Sequence, residues 1–279
     1  MNAQGRLALL ALAAIYGIAL LAPWIVPHDP AAQYRDSAWS PPGTPGFPLG
    51  ADGLGRDQLS RLLAGARVSL LSGTLAAAVA VAVGGTLGSL AVLARGGFSA
   101  VILRAADLSM AVPWTYALLA LRAALPLQLP PERVFWAVMA MLGLVGWARA
   151  ARLAYGVAAG VRDRDYVLAS RGFGARSGYI LRHHLLPEAL PALGVHFVLA
   201  APQYVLAETT LTFLGLGFPD SYPSWGSLLA AAARLDTLLG HGWMLLPAPV
   251  FAGVFLCYHT VGVSLAQRWQ PGPAFQAIR

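Results

Sequence analysis

Val68-Ser-Leu-Leu-Ser-Gly-Thr-Leu-Ala-Ala-Ala-Val-Ala-Val-Ala-Val-Gly-Gly-Thr-Leu-Gly-Ser-Leu-Ala-Val-Leu-Ala94 carries no charged side chain from end to end. A bilayer core about 30 Å thick takes about 20 mainly apolar residues per helical crossing, and this run exceeds that length. Gly84, Gly85 and Gly88 give it small faces suited to close helix packing. Five further stretches read as spans: 7–26, 101–125, 134–155, 193–213 and 243–266. The first ends at Pro27, and its apolar run is too long for a signal peptide, so it reads as a retained span. The third is interrupted by Arg104, Asp107 and Pro113, and the fifth holds His196, Pro202, Gln203 and Glu208. The expected fold is an all-α integral membrane protein of six transmembrane helices. Its parts divide into a first span with an extracytoplasmic loop (1–67) and a five-span core (68–279).

Composition agrees with a lipid-facing surface. The chain is 57% hydrophobic and 11% charged, with a mean hydropathy of +0.62. A soluble domain carries about twice that charged share. All nineteen basic residues are arginine. The absence of lysine excludes Schiff-base chemistry and a phosphate-binding Walker A loop, which needs a lysine on the β/γ-phosphates. If ATP drives this protein, another chain binds it. Cys257 is the single cysteine, so no disulfide framework exists.

The arginines also orient the chain. With the amino terminus inside, twelve of them (Arg6, Arg95, Arg104, Arg149, Arg152, Arg162, Arg164, Arg171, Arg176, Arg182, Arg268 and Arg279) fall on the inner side. Seven fall outside (Arg35, Arg56, Arg61, Arg67, Arg122, Arg133 and Arg234), along with most acids: Asp29, Asp36, Asp52, Asp57, Glu132, Asp220 and Asp236. Both termini are therefore expected in the cytoplasm. Arginines that flank spans account for the net charge of +7 without nucleic acid.

The longest inner loop, 156–191, joins the fourth and fifth spans. Its centre reads Asp165-Tyr-Val-Leu-Ala-Ser-Arg-Gly-Phe-Gly174, then Ala175-Arg-Ser-Gly-Tyr-Ile-Leu-Arg-His-His-Leu-Leu-Pro187. The pattern predicts a short helix, a turn at Gly172 and Gly174, and a second short helix stopped by proline. Such a protrusion suits docking into a partner's groove; a solvated positive-inside loop explains its charge but not the turn.

This loop resembles the coupling loop of the membrane subunits of ABC-type importers. In that family a Glu-Ala-Ala triplet precedes a glycine and an Ile…Leu-Pro ending. Ala169 stands at the middle alanine, Gly174 at the glycine, and Ile180 and Leu186-Pro187 at the end; Leu168 and Ser170 depart from the triplet. Two other stretches are similar to the dipeptide, oligopeptide and nickel permeases: Phe47-Pro-Leu-Gly-Ala-Asp-Gly-Leu-Gly-Arg-Asp-Gln-Leu-Ser-Arg61, and Thr212-Phe-Leu-Gly-Leu-Gly-Phe218 with Pro223-Ser-Trp-Gly226. Asp107 with Pro113 and Gly146-Trp-Ala-Arg149 complete the order. His259, Val263 and Ser264 depart at the carboxyl end.

The resemblance implies a permease of an ATP-driven importer for peptides, nickel or similar small solutes, in the plasma membrane of a bacterium or archaeon. It acts beside a second permease, two cytoplasmic ATPases and an extracytoplasmic substrate-binding protein, and itself holds no cofactor, metal or catalytic residue. The ATPase-coupling residues it implies are Asp165, Tyr166, Ala169, Arg171, Gly172, Gly174, Ile180, Leu186 and Pro187. Gln203, His196 and Glu208 are candidate linings of the path, since polar groups in a span face protein or water; Glu208 also reads as a buried structural acid. Asp107 is expected to pair with Arg104 at helical spacing or to gate the inner mouth. Arg56, Asp57 and Arg61 read either as a docking surface or as pairs within the chain. On the residues alone a membrane-embedded enzyme and a membrane scaffold stay open.

Overall fold

The computed structural model describes residues 2–94, 97–124, 126, 129–218 and 222–268. Arg95, Leu125, Asp220 and Arg279 lie outside the described residues, as do the side chains of Arg122 and Glu132. Eleven helices follow one another among the described residues: α1 (Ala3–Ile25), α2 (Gln58–Leu93), α3 (Phe98–Ala111), α4 (Trp114–Ala123), α5 (Pro131–Arg162), α6 (Asp165–Gly172), α7 (Ser177–Ile180), α8 (Leu186–Phe213), α9 (Trp225–Ala232), α10 (Leu235–Gly240) and α11 (Pro247–Arg268). Extended structure among these residues is limited to two isolated bridges, Thr44 with Phe47 and Ala51 with Asp57. Four helical runs are long and apolar enough to cross a bilayer: Ala3–Ile25, Gln58–Leu93, Ser177–Phe213 and Gly242–Arg268. The chain is thus a multi-pass, all-helical membrane protein.

The long central pair is α2 and α5, and small residues set its spacing. A Cβ on Gly84 would strike the Trp147 carbonyl, and one on Gly88 would strike the Ala151 carbonyl. Backbone therefore meets backbone at two points one turn apart, the small-xxx-small contact that brings helices close where no water drives them together. α8 joins the same core, with Val205 against Gly73 and Tyr204 against Gly146. α1 lies on α11 and α2, its lipid-side residues Leu7, Leu10, Leu21 and Trp24 exposed and its Ala19 and Ala22 buried.

Helix ends place the two faces of the molecule. Asn2 caps α1 by accepting the Gly5 N–H at 2.8 Å, and its own N–H donates to Ser264 Oγ near the end of α11 at 3.2 Å. At the other end of α1, the His28 N–H donates to Ser60 Oγ in the first turn of α2. α1 and α2 are therefore antiparallel, and the start of α1, the end of α2 and the end of α11 share one face. Residues 28–57 cover the opposite face. Trp39 stacks on His241 there with ring centroids 3.8 Å apart.

Two boundaries differ from expectation, and a third break falls at the Pro113 interruption marked in the sequence. α2 begins at Gln58, so the division drawn at residue 67 falls inside a helix. Asp57 causes this early start, because its carboxylate accepts the Ser60 N–H at 2.9 Å and caps the helix there. The third stretch breaks into α3 and α4 because Val112, ahead of Pro113, is extended (ψ 125°) and cannot continue the helix. Finally, α5 runs to Arg162, so 156–162 belong to a helix and not to the inner loop.

Candidate functional site

α6 and α7 project from the face that holds the end of α2. Their joint is a Schellman turn: the Ala175 N–H donates to the Ser170 carbonyl at 3.0 Å and the Gly174 N–H to the Arg171 carbonyl at 2.9 Å. Gly174 sits at φ 85°, where a side chain costs about 1–2 kcal/mol. Gly172 is the last residue of α6 and does not share that conformation, so one glycine makes the turn where two were expected. Proline does not stop the second helix either. α7 passes through a turn of π-helix, Leu181–Leu185, into α8. The Leu186 N–H reaches back to the Leu181 carbonyl, and this wider turn takes in the Pro187 ring, which in an α-helix clashes with the carbonyl four residues earlier.

The protrusion has a buried base and an open tip. Val167, Ile180 and Leu185 pack with Val92, Ala158 and Val161, tying it to the ends of α2 and α5. Phe173 at the tip is 93% exposed, with Leu168 and Tyr179 also open. Asp165, Ala169 and Arg171 lie on the exposed side, Leu186 is half-buried and Pro187 exposed. Tyr166 donates its hydroxyl to Glu188 Oε1 at 3.2 Å, which bridges α6 to α8. Burial, with the neighbouring Glu188 charge, pushes the Tyr166 phenol above its ordinary range. The Arg162 guanidinium, bonded to Asp163 at the root of the protrusion, holds that carboxyl below the usual carboxylate range.

A cleft of about 400 Å3 opens at the α3–α4 break. Pro113 and Trp114 form one wall, Gly146 and Arg149 of α5 a second, and His196, Gln203 and Tyr204 of α8 a third. His196 and Gln203 are seven residues apart, two turns, and so share a helix face. Beside the cleft, Asp107 of α3 accepts from Arg152 of α5: Nε donates to Oδ1 at 2.9 Å, and a second bond joins Nη2 to Oδ2. Arg104 is thus not the partner; the helices bring a distant arginine closer than the neighbour on the same helix.

Glu208 stands apart from this cleft. It is fully buried (0% exposed), accepting from Ser69 Oγ at 2.7 Å and from Thr212 Oγ1 at 2.8 Å. Ser69 Oγ in turn accepts the Trp225 N–H at 3.0 Å. One carboxyl therefore links α2, α8 and α9. Of the three polar residues expected along the path, the fold brings His196 and Gln203 together and sets Glu208 in a separate clamp.

Residues 80–270 match the family of binding-protein-dependent transport system inner membrane components. The chain belongs to that family. This permease is 30% identical over 269 residues to a putative peptide permease protein of Brucella ovis, covering 93% of the chain and 87% of that protein. It is 36% identical over 219 residues to a di/tripeptide transport system permease protein of Pseudomonas aeruginosa (77% and 70%). It is 30% identical over 271 residues to an oligopeptide transport system permease protein of Bacillus subtilis (97% and 86%). As the membrane component of an ABC importer it is a transporter subunit and not an enzyme, and the family works with ATPase and binding-protein partners.

Two parts of the permease escaped the sequence. Phe173 was legible only as a letter between two glycines, with no sign that it is the most exposed large apolar group of the protrusion. Charge bias alone puts Arg149 on the inner side, whereas it lines the cleft; the signal for this is its place one turn after Gly146 on an apolar helix. Conversely, Arg56, Asp57 and Arg61 are buried, not a docking surface. Arg56 Nε donates to Asp52 Oδ2 at 2.7 Å, and Arg61 is 1% exposed.

Proposed function

We propose that this chain is one of two different permease subunits of an ATP-driven importer for peptides or similar small solutes. Two cytoplasmic ATPases and an extracytoplasmic substrate-binding protein complete the complex, in the plasma membrane of a bacterium or archaeon. Six crossings are proposed: α1, α2, α3 with α4, α5, α8 and α11, with both termini and the α6–α7 protrusion in the cytoplasm. A discontinuous third crossing is tolerable because irregular backbone at membrane depth is stable where it lines a cavity.

The observation that carries the reading is the protrusion's combination of buried base and apolar tip. An ATPase groove that covers Phe173 gains about 2 kcal/mol from that side chain alone. Because Val167 and Ile180 pack on Val92 and Val161, the protrusion moves with the ends of α2 and α5 and not as a loose loop. α7, the π-turn and α8 follow one another without a break from Ser177 to Phe213, with Pro191 and Pro202 inside α8, a run roughly 55 Å long. A push at Phe173 passes through the turn at Gly174 into α7 and from there along this run to His196 and Gln203. ATP binding shifts the population between outward-open and inward-open states through its preference for closed ATPases. Gln203 and His196 line the path in this scheme, and Glu208 holds its outer helices together.

The test compares Phe173→Asp and Gly174→Pro with the wild-type chain, co-expressed with its ATPases. Both variants are expected to insert in the membrane at normal level, lose ATPase co-purification and lose ATP-driven uptake. Wild-type uptake in either, with ATPases still attached, refutes the docking role.

A further inference from the structure

The cleft at the α3–α4 break contains a charge that no acid among the described residues neutralises. Arg149 Nη1 donates to Gln203 Oε1 at 3.5 Å, the long limit of a hydrogen bond. Among the described residues this is the guanidinium's one hydrogen bond, and no carboxylate stands within ion-pair distance of it. Asp107, beside the cleft, is committed to Arg152, and Glu208, further along α8, to Ser69 and Thr212. A guanidinium in a membrane-spanning helix is expensive and is normally paired unless it faces a water-filled route.

The rest of the wall adds donors and no negative charge. His196, Gln203 and Tyr204 converge with Arg149 on one space. The carboxyl end of α3 and the amino end of α4 also meet here. Their dipoles are each worth about half a charge with opposite sign, so they largely cancel. The sign of the cleft is therefore set by Arg149. Its planar fork matches a carboxylate through two parallel bonds, which an ammonium group cannot do. A volume of about 400 Å3 lies in the range of small-molecule sites, about 300–1,000 Å3.

We infer that Arg149 is the carboxylate-recognising residue of the translocation path, receiving the free terminal carboxylate of a peptide in transit while His196 and Gln203 orient it. This rests on the importer reading above. The contact is transient by construction: Arg149 is exposed in the cleft, and a partly hydrated pair releases its ligand readily.

The complete importer, reconstituted with its partner chains in uncharged phosphatidylcholine vesicles, tests this in two ways. In a Cys257→Ser background, Ser109→Cys places a thiol on the cleft wall. Its modification rate is measured with an anionic sulfonatoethyl and a cationic trimethylammonioethyl thiosulfonate. The anionic reagent is expected to be favoured, and Arg149→Gln is expected to cut that preference by about tenfold, the effect of removing one nearby charge in a partly desolvated site. Arg149→Lys keeps the charge preference. Uptake of dialanine is expected to fall at least tenfold in Arg149→Gln and to recover in part in Arg149→Lys. An unchanged reagent preference, or normal dialanine uptake in Arg149→Gln, overturns the assignment while leaving the importer intact. Loss of co-purification of the second permease in Arg149→Gln also overturns it, because Arg149 then belongs to the subunit interface. A wild-type complex that imports neither dialanine nor trialanine refutes the peptide reading itself, and the carboxylate assignment falls with it.

Discussion

Replacing Glu208 by alanine removes the acceptor for two buried hydroxyl groups at once. Ser69 and Thr212 each donate to it, at 2.7 and 2.8 Å, in a site with no solvent exposure. A buried donor left without a partner costs about 1–3 kcal/mol, and the vacated side-chain volume adds about 1–2 kcal/mol as a cavity. The sum is about 3–8 kcal/mol, reduced by whatever Ser69 regains through rotation toward another acceptor. Glu208→Gln keeps the volume and one acceptor, but turns an amide N–H₂ toward Ser69 Oγ, which already accepts the Trp225 N–H at 3.0 Å. Its expected cost is smaller, about 1–2 kcal/mol. At about 2–4 °C per kcal/mol for a chain of this size, Glu208→Ala lowers the Tm of the detergent-solubilised protein by roughly 10 °C or more. Glu208→Gln lowers it by a few degrees. The assay is thermal unfolding followed by labelling of the half-buried Cys257 with a thiol-reactive dye. A Glu208→Ala protein within about 2 °C of wild type refutes the clamp. If such a protein also transported nothing, Glu208 would belong to the path after all.

Gly88→Leu forces a side chain into the Ala151 carbonyl, a backbone contact that no rotamer relieves. Overpacking of this kind costs about 1–3 kcal/mol or more, and it spreads α2 from α5 next to Val92, so both Tm and ATP-driven uptake are expected to fall. Normal uptake in this variant would show that the protrusion needs no fixed base. Asp163 gives a pH signature outside the membrane. Arg162 depresses its carboxyl, so the pair's small contribution is present above the ordinary carboxylate value near 3.9 and fades as pH falls through the lower folded value. Arg162→Gln is expected to move the Asp163 titration upward in an NMR measurement of its carboxyl carbon; an unmoved midpoint refutes the pairing.

Much of the fold was legible because the bilayer imposes a simple rule, about 20 apolar residues per crossing, and residues 68–94 obey it plainly. Gly174 was legible too, since a turn at the end of a short helix calls for a residue tolerant of positive φ. The effect of Pro187 is not legible because it depends on the hydrogen-bond register upstream: in an α-helix it breaks, after the π-turn it fits. The partner of Asp107 is not legible, because spacing along one helix, which points to Arg104, is visible in a sequence and the crossing of α3 with α5 is not. Glu208 shows the same divide. Its cost in a span is readable from chemistry, but Ser69, Thr212 and the Trp225 N–H that absorb the cost come from three separate elements.

What the chain's own order of residues determined is local or one-dimensional: lipid exposure from composition, the charge bias of its loops, the turn at Gly174, and the break at Pro113. These follow from desolvation and backbone sterics, which act within a few residues. What tertiary structure decided is which polar groups meet. Arg152 reaches Asp107, Ser69 reaches Glu208, and Arg149 meets Gln203 with no carboxylate in ion-pair reach among the described residues. Burial makes the Glu208 outcome energetically large, and which groups meet is set by helix contacts such as Gly88 on Ala151, where residues far apart in the chain come to lie backbone to backbone.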